Sequence, residues 1–170
     1  MKETPGEYKR RILRFVRNRN PLEVQAATPA ALSRLTRGVP QHRLRQRPAP
    51  GKWSVAEILA HLSEAELVGG YRLRMILGAP GTAIQAYDQD SWAKTGSYAR
   101  RNPRESLALF TALRRANLAL LRTLRPAEWK RHGMHAERGR ESISQITRMF
   151  AGHDLNHLAQ IKRILGRGNN

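Results

Sequence analysis

A single stripe near the C-terminal end limits what this chain can become. Ile143, Ile146, Phe150, His153, His157, Ile161 and Ile164 follow one another at intervals of three and four, the period of one helix face. Two histidines occupy the middle of that face, where apolar side chains are expected. Residues four apart lie about one turn from each other, so both imidazoles can reach one metal ion. A buried imidazole needs a partner for each ring nitrogen, and a metal supplies one. Ser142-Ile143-Ser144-Gln145 is a capping box that opens this helix, and Gly166 ends it.

The same logic orders the rest of the chain. Ser54-Val55-Ala56-Glu57 is a second capping box, with Trp53 and Ile58 placed as its hydrophobic staple. That helix is expected to run through Val55, Ile58, Leu62, Ala65, Leu73 and Ile76 to a stop at Gly78 and Pro80, with His61 at the edge of the stripe. Asn102-Pro103-Arg104-Glu105 opens another, buried through Leu107, Phe110, Leu118, Leu121 and Leu124 and closed by Pro126. Thr28-Pro29 reads as an N-cap with proline in the first turn, leading Ala30 to Arg37 toward Gly38; the spacing leaves open whether Leu22 to Ala27 joins this helix. Glu7 to Val16 predicts a short basic amphipathic helix that stops or turns at Asn20-Pro21. Residues 41–51 read as a loop, 81–101 as a long connection, and 128–140 as a polar loop in which His132 and His135 are expected to be exposed. These elements predict an all-α four-helix bundle with no strand, an architecture that builds metal sites between facing helices.

A length of 170 residues fits one core. The expected division is a basic N-terminal segment, 1–20, and a bundle domain, 21–170. No apolar run approaches the roughly 18 residues that span a bilayer, and no signal-type segment opens the chain, so a cytoplasmic protein without membrane contact is expected. The absence of cysteine excludes disulfides, thiolate-bound zinc and a cysteine nucleophile. Thirty-one Lys and Arg against 13 Asp and Glu give a net charge of +18, with clusters at Lys9 to Arg19 and Arg34 to Lys52. Such a charge attracts nucleic acid, but no nucleic-acid-binding signature accompanies it, and a solvated surface is the plainer reading.

Three blocks carry a resemblance to a known family. They are Pro50-Gly51-Lys52-Trp53-Ser54-Val55-Ala56-Glu57-Ile58-Leu59-Ala60-His61-Leu62, then Tyr87-Asp88-Gln89-Asp90, and His153-Asp154-Leu155-Asn156-His157-Leu158-Ala159-Gln160-Ile161. From about Leu22 to Leu165 the chain resembles the DinB-like superfamily of bacterial bundles, with its DinB- and YfiT-like branches. The resemblance implies an up-down-down-up four-helix bundle, to which the basic N-terminal segment is an addition. It also implies a divalent metal on His61, His153 and His157, with zinc, nickel or iron suited to three imidazoles. Three protein ligands leave a position open for water or a thiol, the arrangement of a reactive site. The implied activity is a metal-dependent hydrolase or thiol S-transferase acting on a small molecule. Since the chain has no cysteine, any thiol is a low-molecular-weight cosubstrate.

Among other polar residues, Gln160 is placed to orient a bound water or substrate, or to bond within the bundle. Asp90, with Asp88, is placed to reach the bundle mouth as a base, though such residues also cap turns. Asp154 lies about 100° round the helix from His153 and is expected to bond a neighbouring helix. Glu57 is taken by its capping box, and Trp53 reads as core. A homodimer is expected. The competing expectation is a basic nucleic-acid-binding or stress-related bundle with a non-catalytic metal site.

Overall fold

The protein is described by a computed structural model over residues 3–167. Eight α-helices are present among these residues: α1 (Pro5–Phe15), α2 (Pro21–Thr36), α3 (Gln41–Arg45), α4 (Val55–Gly78), α5 (Gln89–Thr95), α6 (Pro103–Arg122), α7 (Pro126–Trp129) and α8 (Ile143–Ile164). Both expected capping boxes form. Ser54 accepts from the Glu57 N–H at 3.2 Å while Glu57 returns to the Ser54 N–H at 2.8 Å, and Ser142 and Gln145 do the same on α8.

The four long helices α2, α4, α6 and α8 make the bundle, and cross-helix pairs fix their directions. Glu66 meets Arg114, and Gly70 meets Asn117, so α4 and α6 run parallel. Gln25 donates to the Thr147 carbonyl, and Arg167 donates to the Arg34 carbonyl, so α2 and α8 also run parallel. His61 near the start of α4 meets His157 near the end of α8, which sets the two pairs antiparallel. The order is up-down-down-up. Parallel neighbours cannot be joined by a tight turn, which is why residues 79–102 form a long crossover. The crossover is built rather than loose, because Tyr98 is buried and donates to Glu64 at 2.5 Å.

Several local expectations need correction. Pro29 lies inside α2 and Thr28 is not a cap; Asn20 caps the helix, accepting from Leu22 and Glu23, with Pro21 in the first turn. An internal proline leaves the carbonyl four residues back without a donor. Here that carbonyl, on Gln25, accepts from Arg114 at 3.0 Å. The 41–51 stretch holds α3, whose Leu44 enters the core. A small sheet also exists: β1 (Ala83–Ile84) pairs parallel with β2 (His132–His135), which pairs antiparallel with β3 (Gly139–Ser142). His135 is therefore buried, not exposed, and its Nδ1 accepts from the Glu137 N–H.

Two apolar clusters stack along the bundle. One holds Leu32, Val55, Ile58, Leu62, Phe110 and Ile161; the other holds Leu73, Ile76, Ile84, Leu121, Ile143 and Ile146. Between them lies a buried polar layer. Arg114 grips Asp154 through both terminal nitrogens, at 2.5 and 3.0 Å, and reaches Glu66 at 2.8 Å, while Asn117 donates to Glu66 at 2.8 Å. Asp154 thus bonds a neighbouring helix, as its angular position predicts.

Within the basic segment, α1 packs along α8, with Ile12 and Val16 fully buried. Its approach depends on Gly152, where a Cβ would stand 2.4 Å from the Ile12 carbonyl oxygen.

Candidate metal centre

α4 delivers His61 and α8 delivers His153 and His157 to one point. The Nε2 atoms of His61 and His153 are 2.9 Å apart, and those of His157 and His153 are 3.1 Å apart. One ligand atom from each residue falls within 4.8 Å of the others, so the three could hold a metal ion. His61 and His157 are buried, while His153 is partly open to the adjoining cavity.

The donor chemistry fits an ion. An imidazole Nε2 carries either one in-plane lone pair or one hydrogen, so His153 can complete only one of its two close contacts as a hydrogen bond. The other is left as a like-to-like contact or as the weak arm of a shared hydrogen. A cation between three lone pairs removes the conflict. Ligands about 2.1 Å from one ion lie roughly 3.0–3.4 Å apart for angles between 90° and tetrahedral, close to the spacing seen. Burial drives all three imidazoles toward the neutral form that ligation requires. It lowers His61 and His153 well below their usual value, with the neighbouring imidazoles adding to the effect, and lowers His157 to about 4.

The supports differ among the three. Gln160 Oε1 lies 3.0 Å from His157 Nδ1, which fixes the proton there and turns Nε2 inward. His61 Nδ1 is buried without a partner, and the ring is instead held against Trp53 at 4.9 Å between centroids. The Trp53 ring is thus both core and a wall of the site. Glu57 stays with its capping box and also pairs with Arg47.

A cavity of about 560 Å³ opens over His61 and His153. α4 contributes Ala65 and Arg72, α8 contributes Met149 and Phe150, the crossover adds Tyr87 and Gln89, and α1 and the β2–β3 turn close over it with Tyr8 and Arg138. Asp90 does not line this space. It is exposed in the first turn of α5, where its N–H donates to Asp88, the cap of that helix. His132, on β2, faces Arg140 at 3.4 Å, remote in the fold from the three histidines. Sequence reasoning missed Tyr8, Arg72 and Arg138, since only the folded crossover, hairpin and α1 bring them to one space.

The DinB superfamily model matches residues 26–161. A "Putative metal-dependent hydrolase" of Oceanobacillus iheyensis is 32% identical over 118 residues, covering 69% of this chain and 67% of that protein. The Bacillus subtilis "Putative metal-dependent hydrolase YfiT" is 26% identical over 164 residues, 95% of this chain and 92% of its own. The solved structure of YfiT, described as having an unusual four-helix bundle topology, superposes with a TM-score of 0.78 over 86% of each chain at 24% identity. With its histidines gathered between α4 and α8 of such a bundle, this chain belongs to the DinB superfamily.

Proposed function

We propose that the protein is a metal-dependent hydrolase of a small molecule, with His61, His153 and His157 as the metal ligands. The observation that supports this reading is the crowding at His153 Nε2, whose two contacts at 2.9 and 3.1 Å a shared cation would satisfy together. A divalent ion there supplies a Lewis acid and, at its open position, lowers the pKa of a water toward ~7. The chain's own residues do the rest. Burial keeps the imidazoles unprotonated, Gln160 holds His157 in the tautomer that presents Nε2, and Trp53 fixes the His61 ring. Tyr8, Met149 and Phe150 restrict solvent and shape the space next to His153. The same residues suit a small thiol in place of water, which would make the protein an S-transferase.

The test compares metal-loaded, chelator-treated and His153→Ala protein against a panel of activated esters and amides, with and without an added low-molecular-weight thiol. Turnover of a panel member by the loaded protein alone, lost in the other two samples, is expected. Turnover only with thiol moves the assignment to transferase; equal turnover in all three samples contradicts it.

A further inference from the structure

The cavity over the histidines contains a cation without a counter-ion. Arg72 lines it from α4, half-buried, yet no carboxylate among the described residues stands within ion-pair distance of its guanidinium. Among the described residues, its Nη2 donates to the Gln85 carbonyl at 2.5 Å, and it lies over the Tyr87 ring at 5.7 Å. A backbone carbonyl and a ring face hold the group in place without giving it an ion pair. The other charged residues of the lining are accounted for. Glu3 is gripped by Arg11 at 2.8 and 2.9 Å, Arg138 is spent on buried Glu141 at 2.8 and 2.9 Å, and Glu137 is exposed at the rim.

Burial, and after it the charge of Arg138, lowers the affinity of Arg72 for its proton, partly offset by Tyr87 and Glu141. A half-buried guanidinium under that load gains most from an incoming oxyanion, which its planar fork meets with two parallel hydrogen bonds. Its position is as telling as its charge. His61 and Arg72 share one face of α4, about three turns and roughly 16 Å apart along the axis. Ala65 lies between them, its short side chain leaving the space open. His61 and Arg72 both line the one cavity, with the Arg72 guanidinium held at the Gln85 carbonyl and the Tyr87 ring.

We propose that Arg72 is the anchor for an anionic substrate: an elongated small molecule with its reacting end at the three histidines and a carboxylate or phosphate at the far end on the guanidinium. The proposal names the substrate class of the metal site and rests on that reading. Arg138 does not contact the anion, because Glu141 already occupies its fork. Tyr87 sets the guanidinium plane. Arg72 is a binding residue here and takes no part in bond cleavage.

The probes are mercaptohexanoate and its neutral amide, whose thiol can anchor on a metal while only the acid carries an anion to Arg72. Their affinities are measured by calorimetry for the wild-type protein, Arg72→Met and Arg72→Lys, with metal content and melting curves taken on the same samples. The wild type is expected to prefer the acid by about tenfold or more, the size of one charge-assisted contact. Arg72→Met loses that preference while keeping its metal and its affinity for the amide, and Arg72→Lys retains part of the preference. With metal present, equal affinity of acid and amide for the wild type overturns the anion assignment alone. So does a preference that survives in Arg72→Met, or a variant that only melts earlier. If no metal binds, the metal reading fails separately, and adipate against adipamide reads the anion site directly. Failure of the wild type to prefer adipate, or a preference untouched in Arg72→Met, then overturns the proposal.

Discussion

His153 Nε2 stands in contact with two other imidazole nitrogens and can form a well-directed hydrogen bond with only one of them. Its neighbours work toward the same end. The sequence places Gln160 either to orient a bound water or substrate or to bond within the bundle, and its Oε1 lies against the far nitrogen of His157. Replacing Gln160 with Leu should weaken metal binding by about 10–100-fold without unfolding the protein, the effect expected of a group that orients a ligand. Competition titration with a chromophoric chelator measures this, and an unchanged affinity would count against the role. The imidazoles also tie stability to pH. All three hold fewer protons folded than unfolded, since burial lowers them below 6.5, His157 to about 4. Their contribution is fully present above about pH 6.5 and is lost as pH falls toward about 4. Urea unfolding of the metal-free protein between pH 7.5 and 4.5 should show this slope, and His157→Leu should flatten it.

At the scale of elements, helix starts were legible because capping is local chemistry. Ser54 with Glu57 and Ser142 with Gln145 each satisfy backbone groups three residues away. The course of α2 was not legible, because its continuation through Pro29 depends on Arg114, far away in sequence, reaching the freed Gln25 carbonyl. The sheet was hidden for a similar reason: β1 has two residues, too few to show alternation, and exists through pairing with β2. Arg114 serves two purposes, since it also pairs with Asp154 and Glu66 in the layer between the apolar clusters. Arg114→Met strips the partner from two buried carboxylates and should cost about 3–5 kcal/mol. Denaturant unfolding gives the value, and a loss below about 1 kcal/mol would show that the layer is not the bundle's clamp.

At the scale of the molecule, the crossover, the β2–β3 turn and α1 meet over the histidines, and the up-down-down-up order makes the crossover necessary. Two parallel pairs oblige the chain to travel the length of the bundle between α4 and α6. That passage brings Tyr87 to the cavity that α1 covers from the other side. The histidines themselves were legible from spacing on α8 and from the resemblance for His61; the cavity above them was not, because its walls come from segments with no common sequence pattern. No helix among the described residues is long and apolar enough to cross a membrane. The central claim, one metal held by three helix-borne imidazoles, is most directly tested by elemental analysis of untagged protein beside His61→Ala, His153→Ala and His157→Ala. About one equivalent of zinc, nickel or iron in the wild type, lost from all three folded variants, is the predicted result. Full occupancy retained in any one of them, or no uptake by the wild type after reconstitution, would contradict it.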